Sequence, residues 1–61
     1  MKRTHTLLKD NKGRYYDAGK ITCEPTGEMD DGYKVWTEVG TDGNDQYELF
    51  MLNGAFYFVH I

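Results

Sequence analysis

One short stretch constrains this chain most. From Gln46 to Ile61 it reads QYELFML, then Asn53-Gly54, then AFYFVHI. An Asn-Gly pair between two apolar runs predicts a β-hairpin, because a two-residue type I′ turn needs φ > 0 at both central positions and these residues tolerate it best. A two-residue loop fixes the register. Leu52 faces Ala55, Phe50 faces Tyr57 and Glu48 faces Val59 on one side of the ribbon, with Gln46 and Ile61. Met51 with Phe56, Leu49 with Phe58 and Tyr47 with His60 form the other. Both sides are apolar, so the hairpin must be covered by the rest of the chain, by a second copy or by a partner.

The chain is 61 residues long, enough for one domain (1–61) and one small core. Nine aromatic residues supply large buried areas at little rotamer cost. The single cysteine, Cys23, excludes an internal disulfide. The start, MKRTHTLL, lacks the apolar stretch of a signal peptide, and no run approaches the length of a membrane span. The expected setting is the cytosol.

No long window holds an apolar period near 3.6, whereas short β-prone runs separated by turn residues recur. The pattern predicts strands at about Thr4–Lys9, Arg14–Glu24 and Tyr33–Val39, followed by the two strands of the hairpin. Asp10-Asn11-Lys12-Gly13 forms the first turn, and Gly19 marks a bulge or bend inside the second strand. Pro25-Thr26-Gly27 closes that strand, and a polar loop runs on to Gly32. Five short strands with one bent predict an all-β fold: a small five-stranded antiparallel barrel of the SH3-like or OB-like class, or a strongly curled meander that dimerises.

Charge is divided unevenly. Residues 1–20 carry Lys2, Arg3, Lys9, Lys12, Arg14 and Lys20 against Asp10 and Asp17, a balance of +4. Residues 21–61 carry Lys34 against eight carboxylates, a balance of −7, which together give the net −3. Such asymmetry steers partners more than it stabilises folds, and charge exchange between neighbouring strands is the plainer explanation.

Chemistry-bearing constellations are sparse. Cys23, His5 and His60 are the only soft ligands and bases, and the two histidines meet only if the first and last strands pair. There is no C-x-x-C, no H-x-x-x-H, and neither P-loop nor dinucleotide-binding glycine spacing. The acidic loops Asp30-Asp31 and Asp42-Gly43-Asn44-Asp45 read as turn chemistry, not as a calcium loop. The expectation is a non-enzyme with no catalytic residue, no cofactor, no metal and no small-molecule substrate.

Binding is the function class left. In YKVWTEV (33–39), Tyr33, Val35 and Val39 make an apolar set, and Trp36 falls on the opposite, wetter parity beside Lys34 and Glu38. On the hairpin, Leu49, Met51, Phe56 and Phe58 read as core, while Phe50 and Tyr57 share a face with Glu48. Trp36, Phe50 and Tyr57, rimmed by Glu48 and Glu38, are therefore the candidate contacts of a protein-binding module, an adaptor or small inhibitor whose partner is a larger protein or a second copy in a homodimer. The alternative is a single-stranded nucleic-acid-binding barrel using Lys9, Lys12, Arg14, Tyr15 and Tyr16, opposed by the negative net charge.

Overall fold

The computed structural model describes all 61 residues. Turn chemistry sets the architecture. Lys12-Gly13, Asp31-Gly32 and Asn53-Gly54 have φ of 55° and 84°, 53° and 83°, and 51° and 81°, the paired positive values of two-residue type I′ turns. Each joins adjacent antiparallel strands. The five strands are β1 (Arg3–Asn11), β2 (Arg14–Asp30), β3 (Tyr33–Glu38), β4 (Tyr47–Leu52) and β5 (Ala55–His60).

The strands follow one another around a closed barrel in the order β1-β2-β3-β4-β5. Successive strands reverse direction, so an odd-membered ring cannot be antiparallel throughout. Its closing pair has to be parallel, and β1 and β5 do pair in parallel, Thr6 with Tyr57, Leu7 with Phe58 and Leu8 with Val59. No crossover interrupts the order, so the barrel is a closed meander without the Greek-key connection of an OB-fold.

The terminal hairpin has the register that its two-residue turn requires, from Leu52↔Ala55 through Phe50↔Tyr57 to Tyr47↔His60. Gly19 marks a bulge, as expected. Thr6 pairs with Lys20 and Leu8 with Asp17, leaving Ala18 and Gly19 opposite Leu7 alone. Gly19 sits at φ 92°, and its N–H donates to Asp17 Oδ1 at 2.7 Å.

The expected end of the second strand near Pro25 is wrong. β2 runs on to Asp30 through a second irregularity between Pro25 and Met29. Thr26 repairs the interrupted ladder: its hydroxyl donates to the Val35 carbonyl at 3.2 Å and accepts the Glu28 N–H at 3.1 Å.

Five strands enclose little space. The core is a single layer with one side chain from each strand: Leu7, Cys23, Trp36, Tyr47 and Phe58, with Ile21 and Leu49 packed against it. The Trp36 and Phe58 rings lie 5.5 Å apart, and His5 meets Phe58 edge-on at 5.4 Å. Val35 is buried apart from this layer, beside the bulged part of β2.

Candidate functional site

Strand direction gives the barrel two distinct ends. One carries the Asp31-Gly32 and Asn53-Gly54 turns together with Arg3 at the start of β1; this is the hairpin end. The other carries the Lys12-Gly13 turn and residues 39–46; this is the loop end.

At the hairpin end the last hairpin outruns its neighbours. β4 meets β3 through a single pair, Trp36↔Tyr47, and β5 pairs with β1 no nearer its start than Tyr57. The tip beyond these pairs projects from the ring. Phe50 is 42% exposed, Met51 62%, Leu52 45% and Phe56 41%. Met51 and Phe56 thus depart from the expected core, although they share the inward parity of Phe58. Parity names the face, but the ring is too short to cover that far along the strand. Arg3 stacks its guanidinium 5.4 Å from the centre of the Phe56 ring, and His5 lies 5.9 Å from it.

The expected contact residues separate. Phe50, Tyr57 and Glu48 share the outer face of the hairpin, Phe50 exposed and the other two half-buried. Trp36 is a correction: it is 5% exposed and belongs to the core, because the face read as wetter is the one turned into the barrel. Glu38 ends β3 at the loop end, away from the tip, where it pairs with Cys23. The expected cluster is therefore replaced by a ribbon apolar on both sides, Phe50 and Leu52 on one and Met51 and Phe56 on the other. Sequence reasoning missed Met51, Leu52 and Phe56 as surface residues. Their position beside the Asn53-Gly54 turn is the signal that could have found them.

Beside this ribbon the mouth of the barrel forms a cleft of about 380 Å³ that β3 and β4 bound on one side, lined by Arg3, Met29, Tyr33, Lys34, Trp36 and Leu49 with Gly32. Lys34 shares the parity of Trp36, so its side chain is directed toward the barrel opening.

The alternative set occupies the β1–β2 hairpin. Lys9, Lys12, Arg14, Tyr15 and Tyr16 are all exposed. Lys9 pairs with Tyr16 and Asp10 with Tyr15, so the two tyrosines point to opposite faces and form no continuous stacking platform. Lys9, Tyr15 and Tyr16 do line a groove of about 740 Å³ at the loop end, but Asp10, Asp45 and Glu48 line it as well. Three carboxylates beside one lysine repel phosphate.

The titratable groups divide by strand direction. Parallel closure keeps the histidines apart: His5 sits against Phe56 and Phe58, and His60 meets the Tyr47 ring edge-on at 5.4 Å and Asp45 Oδ1 at 3.3 Å. Burial, and secondarily Arg3, lowers the His5 pKa, and the buried His5 Nε2 has no hydrogen-bond partner. Burial pushes the Cys23 thiol up to about 11, with Glu38 adding to the shift. Burial likewise raises the Tyr47 pKa, helped first by Asp45. A fully buried protonated thiol offers no nucleophile to a substrate. No three His, Cys, Asp or Glu side chains converge as metal ligands, and no helix is long and apolar enough to cross a membrane. No family model matches the chain, and neither a curated protein nor a solved structure matches it.

Proposed function

We propose that this chain is a non-enzymatic protein-binding module, an adaptor or small inhibitor of a larger protein, with the hairpin end of the barrel as its contact surface. The observation that carries this reading is the gathering of exposed apolar side chains at one end: Met29 and Tyr33 on one hairpin, Phe50, Met51, Leu52 and Phe56 on the other. Scattered apolar residues are ordinary on a surface, whereas a contiguous cluster at a projecting tip is a feature of interfaces. The accessible area supports it. A monomer of 7.1 kDa is expected to expose about 4,100 Å², against 4561 Å² here.

Phe50 is the anchor, with Tyr57 opposite it and Glu48 at the rim. Trp36 and Glu38 contribute to folding and to the far end, not to this contact. Self-association through the tip is one form of the same reading. Nucleic-acid binding through Lys9, Lys12, Arg14, Tyr15 and Tyr16 is disfavoured by the carboxylates in the groove that Lys9, Tyr15 and Tyr16 line, which Lys12 and Arg14 do not reach.

The test compares wild type with a Phe50→Ser/Met51→Ser variant. Wild type is expected to bind an apolar-surface dye and to retain a partner from its host, or to sediment as a dimer at high concentration. The variant loses these properties but still unfolds cooperatively, its urea midpoint lowered by about 1–2 M for the part-buried area of Phe50 and Met51 that is lost. A monomeric wild type that binds no dye, and retains nothing the variant does not, overturns the reading. Salt-sensitive binding of single-stranded DNA at about 50 mM salt favours the nucleic-acid alternative instead.

A further inference from the structure

The weakest joint in the barrel lies between β3 and β4. Antiparallel continuation from Trp36↔Tyr47 would pair Val35 with Glu48, Lys34 with Leu49 and Tyr33 with Phe50, but none of these pairs forms. Every other seam holds at least three pairs. β4 therefore presents an edge over most of its length. With a two-residue turn, Leu52, Phe50 and Glu48 direct their backbone groups at β5. The N–H and C=O groups of Leu49 and Met51 then point away, toward the seam.

Natural edge strands are guarded by charge, proline or a bulge. Leu49-Phe50-Met51-Leu52 has none of these. The edge borders the 380 Å³ cleft, and the cleft has a definite chemistry. Met29, Trp36 and Leu49 make its apolar walls. Its charges are Arg3 and Lys34, with no carboxylate in the lining. Neither cation has an ion-pair partner; the one pair in the chain is His60 with Asp45.

We infer that this seam takes up an extended acidic peptide, which adds as a strand to β4 and directs its acidic side chains at Arg3 and Lys34. The inference rests on the protein-binding reading and names the partner's chemistry within it. Added strands draw affinity from backbone hydrogen bonds and specificity from alternate side chains, one set facing the cleft and the other facing out. The cleft-facing set is acidic: its carboxylates meet the two cations, and their methylene stems lie against Met29 and Leu49. The outward set is uncharged or basic, because Glu48 occupies that face of β4. Acids on one face of the added strand are required, and acids on both are rejected.

Trp36 is the only tryptophan and lines the cleft, so its emission reports occupancy directly. The probe is a capped heptapeptide alternating Glu and Val, titrated against the intact chain. Its controls are the Lys/Val counterpart and a Glu/Val peptide N-methylated at alternate residues. The Glu/Val peptide is expected to shift Trp36 emission and to bind more weakly as salt rises. Lys34→Glu weakens it by about tenfold or more at an unchanged urea midpoint, and Arg3→Gln weakens it less. N-methylation abolishes binding by removing the strand's donors. Equal binding of the Lys/Val peptide, indifference to N-methylation, or no binding up to millimolar peptide overturns the inference. A wild-type dimer that the Glu/Val peptide does not dissociate overturns it too, since a second copy then owns the edge. If the peptides fail while the Phe50→Ser/Met51→Ser variant still loses its partner or its dimer, the strand-addition inference falls and the protein-binding reading stands.

Discussion

Phe58 is the point at which the single-layer core is most exposed to test. Its side chain is completely buried, with Trp36 and His5 within ring-contact distance. Truncating a buried Phe to Ala costs about 3–5 kcal/mol through lost transfer energy and the cavity left behind. A chain of 61 residues has a total stability of roughly 3–9 kcal/mol at about 0.05–0.15 kcal/mol per residue. Phe58→Ala thus removes most or all of it, and the measurable variant is Phe58→Leu, which keeps an apolar branch in the layer and costs about 1–2 kcal/mol. With a urea dependence near 1 kcal/mol per molar for so small a domain, the midpoint falls by about 1–2 M. Trp36 emission is the assay, because its ring is 5.5 Å from Phe58 and moves from core to water on unfolding. Phe56→Ala is the internal control: two residues away and of the same inward parity, but at the exposed tip, it costs about 1 kcal/mol. The reasoning is refuted if Phe56→Ala destabilises as much as Phe58→Ala, or if native Trp36 already emits like a solvated indole.

Two further outcomes follow from the buried titratable groups. With its pKa near 11, the Cys23 thiol is ionised in roughly one molecule in a thousand at pH 8, and it is sealed in the core as well. Its reaction with a disulfide reagent should be at least about a hundredfold slower in native protein than in urea, and prompt labelling of native protein would refute the burial. The His5 pKa is lowered from 6.5 in the folded state, so the unfolded chain takes up the proton more readily. The stability tied to neutral His5 is full above pH 6.5 and is lost as pH falls from 6.5 through the lower folded value. The gap in urea midpoint between wild type and His5→Phe should therefore change between pH 7.5 and pH 5, wild type losing ground at acid pH, and a constant gap would refute it.

Much of this barrel was legible because its local signals are self-sufficient. Asn53-Gly54 fixed the hairpin register down to Tyr47↔His60, and Gly19 marked a bulge inside a strand, since both depend on backbone geometry within a few residues. What needed tertiary context was lost. Pro25-Thr26-Gly27 resembles a strand end, and only the Thr26 hydroxyl reaching Val35 nine residues away shows the ladder resuming at Met29. Trp36 sits beside Lys34 and Glu38, which reads as a wet face. The flanking charges instead lie at opposite ends of a short strand, Lys34 at the hairpin end and Glu38 at the loop end, with the indole between them in the core layer. Period-2 reasoning identifies a face but not how far along the strand the barrel covers it. Met51 and Phe56 were misplaced for that reason, and the open edge of β4, which depends on pairs that do not form, left no mark in the sequence.

The strand count links these features to the proposed surface. A meander of five strands closes with one parallel seam and encloses one layer of side chains, one from each strand. This chain supplies apolar side chains at more levels than one layer can hold, so some must lie beyond the ring. Their distribution is uneven. The loop end exposes Tyr15, Tyr16 and Ile61, two of them carrying a hydroxyl, whereas the hairpin end gathers Met29, Tyr33, Phe50, Met51, Leu52 and Phe56. Burial alone does not favour one end of a barrel over the other, since each opens directly to solvent. The β3–β4 ladder stops short at that same apolar end, leaving backbone donors and acceptors beside the surplus side chains. An unpaired edge beside an apolar surface is a hazard for a domain that acts alone and a means of attachment for one that docks. Their coincidence at one end favours docking.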